Sequence, residues 1–322
     1  MSDRNNPTRG SASSSQYSFV EFMQDFPDDS ACMDLLWRQR YSPDGSHTEC
    51  PKCEQKRKFH RVKARPSYAC EACGFQFYPL AGTIFHKSST SLRLWFYAIH
   101  LMTSTRCGVS AKHLERELGV TYKTAWRMFN LIRNKLMVED DEPLSGEVEI
   151  DETSVDGKPR KFQRTGPDPL RRTASENISA ANRLANRRRA TVFAAVERQG
   201  RVKATVLPSR RGPRLREQAV EWVDPDSIVF TDEWGAYNKL HQHFAAHSRI
   251  SHGAREYVVG NVHTNTVEGF FGNLKTGIRG NYKLVSHKWL QGYLNEFTWR
   301  YNHRRDRRAM FHTLIERAAT PI

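Results

Sequence analysis

Three carboxylates in this chain stand where acids can gather. Asp151 closes the alternating stretch Glu149-Ile150-Asp151-Glu152, and Asp232 follows a short apolar run in Phe230-Thr231-Asp232-Glu233. Glu268 opens a helical pattern in Asn265-Thr266-Val267-Glu268-Gly269-Phe270-Phe271. Acids at two strand ends and a helix start can converge on one point. Their oxygens suit hard divalent cations. Two Mg²⁺ ions held that way activate a nucleophile and stabilise the leaving oxygen of a phosphodiester. Each acid also has a plainer reading. Asp151 is one of several acids in its strand, Asp232 suits a turn, and Asn265 and Glu268 have the spacing of a capping box. Lys275 lies seven residues after Glu268, nearly two helical turns, with Gly272 between them on the shared face. It is placed to touch a phosphate, or it is a surface lysine.

A second constellation is made of sulfur. Cys50-x2-Cys53 and Cys70-x2-Cys73 are two knuckles separated by 16 residues. Four thiolates so spaced fit a tetrahedral Zn²⁺, and a closed four-thiolate site is structural rather than catalytic. In so short a segment the metal supplies much of the folding free energy. Gly74 permits the second turn, and Tyr68, Phe75, Phe77 and Tyr78 are expected to pack around the site. Cys32 and Cys107 are left over and are expected to be buried apolar residues.

The elements that must position these groups follow from pattern. Residues 1–16 read as a flexible, Ser-rich tail and 17–45 as helical, so that 17–80 is a helix with a zinc ribbon. Residues 81–137 read as helices with a helix-turn-helix-like pair. Leu114, Leu118, Val120, Ala125 and Phe129 form its expected seam, and Lys123, Arg127 and Arg133 stay available to phosphates. The acidic stretch within 138–146, closed by Pro143, reads as a linker. From 147 the period changes to that of strands: Glu147 to Thr153, Ala190 to Glu197 and Val202 to Leu207, with Gly200 turning the last two into a hairpin. Leu215 to Trp222 reads as a helix, Ser227 to Phe230 as a buried strand, a helix follows Gly235, and 265–318 is mostly helical. The expected catalytic domain is 147–315.

Charge decides the partner class. The 322 residues carry 50 Lys+Arg against 35 Asp+Glu, a net charge of +15. Such a balance suits a polyanion, nucleic acid before an anionic membrane. Residues 158–189 hold ten Lys/Arg and two acids, including Lys158, Arg160, Lys161, Arg187, Arg188 and Arg189, and read as a basic insertion. A second basic cluster contains Arg300 and Arg304. No apolar run reaches a membrane span, and no secretory signal opens the chain. The expectation is a cytoplasmic, nucleoid-associated protein with no nucleotide cofactor.

At these residues the sequence resembles the DDE transposases of bacterial insertion sequences, in the zinc-ribbon branch related to the Merlin elements. The pieces that carry the resemblance are CPKC and CEACG, Leu118-Gly119-Val120 with TAWRM, EIDET with a following Gly157-Lys158, TDEWGAY, and HTNTVEGFFGNLKTGIRG followed by EFTWRYNHR. They run from roughly residue 20 to 315. The resemblance implies a multidomain chain: a four-cysteine zinc ribbon, a helical DNA-binding segment and an α/β RNase H-like core with a mixed sheet. It implies that Asp151, Asp232 and Glu268 hold two Mg²⁺ ions, with Asn265 a competitor for the third position and Lys275 a trailing basic residue. It implies cleavage and strand transfer at terminal inverted repeats of double-stranded DNA by a homo-oligomer. An RNase H-like nuclease or resolvase, a DNA-binding regulator derived from a transposase, and a zinc-ribbon module acting on RNA remain the alternatives.

Overall fold

The computed structural model describes residues 17–105, 107–156, 189–250 and 263–321. The chain divides into two compact units, Met1–Val138 with His303–Ile322, and Glu139–Asn302. Among the described residues no helix is long and apolar enough to cross a membrane.

The first unit opens with α1 (Phe19–Asp25) and α2 (Asp29–Arg40). Ser18 and Glu21 form a reciprocal capping box, and Asp28 accepts the Ala31 N–H, so both helix starts are satisfied locally. Four short antiparallel strands follow in the order β1-β2-β3-β4: His47–Cys50, Gln55–Val62, Ser67–Cys70 and Gln76–Phe77. This sheet is too small to bury a core of its own and borrows one from α2. The Trp37 ring stacks on Tyr68 at 4.3 Å, with Phe59 and Phe77 closing around it.

Helix α3 (Leu92–Ser104) buries Trp95, Phe96 and Ile99. Next come α4 (Ala111–Leu118) and α5 (Tyr122–Leu131), started by the side chains of Ser110 and Thr121. The turn between them needs a left-handed residue, and Gly119 supplies it at φ 63°. Leu114, Leu118, Ala125 and Phe129 are buried as the pattern expects, and Val120 is half-buried. The last helix, α9 (Met310–Ala319), returns to this unit. Phe311 packs among Phe22, Phe26 and Phe96, and Arg317 donates to the carbonyls of Leu136 and Val138. Burying Phe311, Leu314 and Ile315 stabilises by on the order of 5 kcal/mol. The expected boundary at 315 is therefore corrected: residues 303–315 belong to the first unit.

The second unit is a five-stranded mixed sheet in the order β7-β6-β5-β8-β9. Strands β5 (Glu147–Asp156), β6 (Arg189–Glu197) and β7 (Val202–Leu207) form an antiparallel meander. Strands β8 (Ile228–Asp232) and β9 (Ala246–Ile250) continue parallel to β5, and α6 (Gly212–Trp222) carries the chain from β7 to β8. Val148, Ile150, Phe193, Ala195 and Val229 share a core with Leu215 and Ala219 of α6.

Helix α7 (Asn265–Gly277) packs beside β5, and α8 (His287–Asn302) packs beside β7. An uncovered edge strand is a row of unpaired backbone groups. Here two side-chain amides of α8 occupy that row. Gln291 accepts from Val206 N–H and donates to Ala204 O, while Asn302 accepts from Val202 N–H and donates to Val202 O.

Two sequence expectations change in this unit. The end of the expected linker is structural: Leu144 is fully buried, its N–H donates to Trp222 O, and its carbonyl accepts from Asp224 N–H. The helix expected after Gly235 is two 3₁₀ turns, Gly235–Tyr237 and Leu240–Gln242, followed by β9. Strand β9 reads AHSRI, with one β-branched residue in five and no clean alternation, so its pattern does not announce a strand.

Candidate active site and metal centre

The acidic site is built by strand register. Glu149 lies opposite Phe230 in the parallel β5–β8 pair. Asp151 and Asp232 each come two residues later, so they arrive at one level on adjacent strands. Asp232 is fixed by its own turn, where its Oδ1 accepts the Trp234 N–H at 3.0 Å. Asp151 accepts the Glu152 N–H at 2.7 Å. Both acids are half-buried, and Glu268 and Asn265 are exposed at the start of α7.

Burial pushes the Asp151 carboxyl up to about 8. The charge of Glu152 adds to this rise, the Glu152 N–H opposes it, and the charges of Asp232 and Glu268 add further. Asp232 and Glu268 therefore both lie within electrostatic reach of Asp151. Lys275 is half-buried two turns along α7, and a Cβ at Gly272 would meet nothing within 4 Å.

What places Glu268 is a residue that the sequence pattern does not single out. Asn265 is the first residue of α7 rather than its N-cap, and the N-cap Thr264 makes no side-chain capping bond. The cap comes from β5. Glu149, fully buried, accepts from the N–H groups of Thr266 and Val267 at 2.7 and 3.1 Å and from the Thr266 hydroxyl at 2.9 Å. A buried carboxylate at a helix N-terminus meets both the orphan N–H groups and the positive end of the dipole. Arg198 neutralises it, donating from Nε at 2.9 Å. Arg198 also bonds Glu147 and the His263 carbonyl and lies 4.0 Å from the Phe230 ring centroid. His263 Nδ1 is 3.0 Å from Glu149 Oε1 without the alignment of a hydrogen bond. One signal in the sequence does point to Glu149: it shares a face with Asp151 between apolar neighbours.

Glu152 does the corresponding work on the opposite face. Its buried carboxylate accepts from the Tyr237 hydroxyl and from Arg210, whose guanidinium lies 5.0 Å from the Trp234 ring centroid. It thereby holds the turn that follows Asp232.

The four cysteines form a separate centre. One sulfur from each of Cys50, Cys53, Cys70 and Cys73 lies within 4.8 Å of the others, so they could hold a metal such as zinc. Among the described residues they are the only group of three or more such ligands gathered that tightly. Each knuckle closes the same way: Glu54 N–H donates to Cys50 O and Gly74 N–H to Cys70 O, with both residues left-handed. Burial raises the Cys50 thiol, but the Cys53 and Lys52 N–H groups and the Cys73 thiol outweigh it and bring it to about 7.

Comparison with known proteins agrees with this arrangement. The model of the ISXO2-like transposase domain family matches residues 143–302, which is nearly the whole second unit. A protein of the transposable element ISH50 from Halobacterium salinarum is 31% identical over 229 residues, 68% of this chain and 74% of that protein. The chain belongs to the DDE transposases of insertion sequences. A transposase-like protein of Haemophilus influenzae is 28% identical over 102 residues, 32% of this chain and 81% of that protein.

Several basic residues expected to meet DNA are placed otherwise in this transposase. Lys123 and Arg127 are exposed, and Arg304 is half-buried. Arg133 is buried, its guanidinium 3.5 Å from the Phe129 ring centroid. Arg300 is buried against Glu296 at 2.7 Å. Both are corrections: sequence counts charge but does not show which helical face carries it. Lys158, Arg160, Lys161, Arg187 and Arg188 lie outside the described residues, as does the Arg189 side chain. Cys32 is buried as expected, whereas Cys107, in the turn before α4, is exposed.

Two outcomes follow from this geometry. The groups that Glu149 meets are donors, so the amide of Glu149→Gln turns its NH₂ toward another donor in either orientation. Urea denaturation is expected to show a loss of about 3 kcal/mol for Glu149→Gln and under about 1 kcal/mol for the more exposed Glu147→Gln. A loss for Glu149→Gln no larger than that for Glu147→Gln would refute the cap. Asp151 gives the second outcome. An acid raised in the folded state stabilises it below the unfolded value near 4, and that stability is lost as pH rises toward 8. In metal-free buffer the unfolding free energy of Asp151→Asn, from urea denaturation, should therefore exceed that of wild type increasingly from pH 5 to 8, by at most about 1.4 kcal/mol per pH unit.

Proposed function

We propose that this transposase cuts DNA at the terminal inverted repeats of its element and joins the freed ends to target DNA, with Asp151, Asp232 and Glu268 as its catalytic acids. The observation that carries the reading is that Asp151 and Asp232 stand at one level on the adjacent strands β5 and β8, with the charge of Glu268, at the start of α7, also acting on Asp151. An all-oxygen, electronegative site asks for a hard divalent cation, and Mg²⁺ fits it. When bound, two such ions supply activation of the attacking oxygen and stabilisation of the leaving one. The strand order, an antiparallel meander extended by two parallel strands, supports reading the second unit as an RNase H-like core.

This chain's own residues then have distinct tasks. Asp151, Asp232 and Glu268 hold the reacting centre. Lys275 contacts a phosphate on the face of α7 that Gly272 leaves open, and Asn265 is the competitor for the place of Glu268. Water attacks the phosphorus at the element end and releases a 3′-hydroxyl. That hydroxyl attacks a target phosphodiester in line, so no covalent protein–DNA intermediate is needed. Cys50, Cys53, Cys70 and Cys73 hold a structural Zn²⁺. The zinc ribbon and the α4–α5 pair bind the terminal repeats, the pair through Lys123 and Arg127, with phosphate contacts giving affinity and base contacts specificity. Pairing two ends calls for a homo-oligomer on DNA in the bacterial nucleoid.

The test is strand transfer by purified protein with Mg²⁺ on a labelled fragment carrying the ends that flank its gene. Wild type is expected to give joined product, while Asp232→Ala and Glu268→Gln lower the rate by at least a thousandfold and Asn265→Ala by far less. Cleavage without joining would favour a nuclease, and binding with neither step in Mg²⁺ or Mn²⁺ would favour a regulator. The zinc reading has its own check. Metal analysis should find about one zinc per chain, and Cys70→Ser should lose it together with the Trp37–Tyr68 packing seen by fluorescence.

A further inference from the structure

The first unit holds a cleft of about 340 Å³ whose walls differ in chemistry. One wall is the β2–β3 hairpin with Arg61, Lys63 and Arg65, and the other is the hydroxyl-rich segment 88–91 leading into α3. The hairpin side carries six Lys/Arg and no acid across residues 55–65. Arg61 is held in place. It lies opposite Tyr68 in the β2–β3 register, with its guanidinium 5.5 Å from that ring centroid. Its Nη1 is buried and has no hydrogen-bond partner, and a buried donor left so is costly unless a ligand meets it. One acid, Asp29, also lines the cleft, but its Oδ1 is engaged by the Ser91 hydroxyl at 2.6 Å and the Arg93 N–H at 2.8 Å. Three cations therefore face one carboxylate already committed to the start of α3.

The cleft is also joined to the helix pair. Trp95 lines it and donates from Nε1 to Ser88 Oγ at 2.9 Å. The guanidinium of Arg127, on α5, lies 5.7 Å from the ring centroid of that same Trp95. One tryptophan thus connects the basic hairpin to the cation that α5 presents.

We propose that this cleft is a phosphodiester-binding site, in which Arg61, Lys63 and Arg65 grip the DNA backbone beside the stretch contacted by α5. Guanidinium forks and an ammonium are the groups that neutralise phosphate oxygens, and the cleft falls within the size range of small-ligand sites, about 300–1,000 Å³. The inference rests on the reading that this unit binds DNA. It deepens that reading by placing a backbone grip in one cleft of the ribbon, on three named cations.

The experiment measures binding of the full chain to two fluorescent duplexes, one from the element's end and one scrambled, across a salt series. The cleft variant Lys63→Ala/Arg65→Ala is compared with a charge-matched variant outside the cleft, Lys56→Ala/Lys58→Ala. All four side chains are on exposed residues, and zinc content reports folding. The cleft variant is expected to flatten the slope of log K against log salt by about 2. It should weaken both duplexes by the same factor, at least tenfold, because backbone contacts carry no sequence information. The charge-matched variant should leave the slope within about half a unit of wild type. Wild-type slope in the cleft variant, or equal loss in the two variants, overturns the site while DNA binding stands. Failure of wild type to bind either duplex removes the DNA-binding reading and the site with it.

Discussion

The arrangement of the three candidate acids depends on a buried carboxylate that is none of them. Glu149 takes two backbone N–H groups and a hydroxyl from the start of α7 and is neutralised by Arg198. A helix start ordinarily finds its cap within its own first turn. Here the cap is 117 residues away in sequence, so capping and tertiary positioning become one interaction. Asp151 is two residues further along the same face of β5, and Glu268 one residue beyond the capped N–H groups. The bond that starts the helix therefore also sets the level of Glu268 beside β5.

Glu152 extends the logic to the other acid. Successive side chains of a strand point to opposite faces, so Glu149 and Glu152 leave β5 in opposite directions while flanking Asp151. One holds α7, which carries Glu268. The other holds Tyr237, in the turn after Asp232. The two buried acids are compensated by Arg198 and Arg210, each also lying against an aromatic ring. Buried ion pairs bring little net stability, since desolvation offsets most of their attraction. Their contribution here is geometric: they fix a helix start and a turn to the one strand that carries Asp151.

Periodicity makes much of this legible and leaves the decisive part hidden. Strand β5 alternates openly, β6 and β7 read as short strands, and Gly200 marks the hairpin between them; the Cys knuckles and the Gly119 turn are equally plain. Strand β9 escapes the pattern because neither AHSRI nor its flanks carry a period, and its existence depends on pairing with β8. Glu149 can be assigned to the face of Asp151, but its burial and its partners come from a hairpin register and a distant helix. Asn265 and Glu268 have capping-box spacing, yet the side chain that caps α7 is on another element. Residue type alone puts Cys107 inside, and it is exposed in a turn, where local chain geometry overrides the average preference.

Charge shows the same division between what composition states and what structure assigns. The net charge of +15 marks a polyanion partner, but the count does not distinguish cations that face solvent from cations consumed within the fold. Arg133, Arg198 and Arg300 are spent on a ring, a helix-capping acid and an adjacent glutamate. Each of the last two lets an acid be buried where it orders an element. The cations left facing solvent are therefore fewer than the sequence count implies. In the first unit Lys123 and Arg127 of α5 and Lys63 and Arg65 of the β2–β3 hairpin are among the cations that remain exposed. Because each neutralised phosphate contributes separately to the salt dependence of binding, the slope of that dependence counts the cations that reach DNA, and it separates them from those the fold keeps for itself.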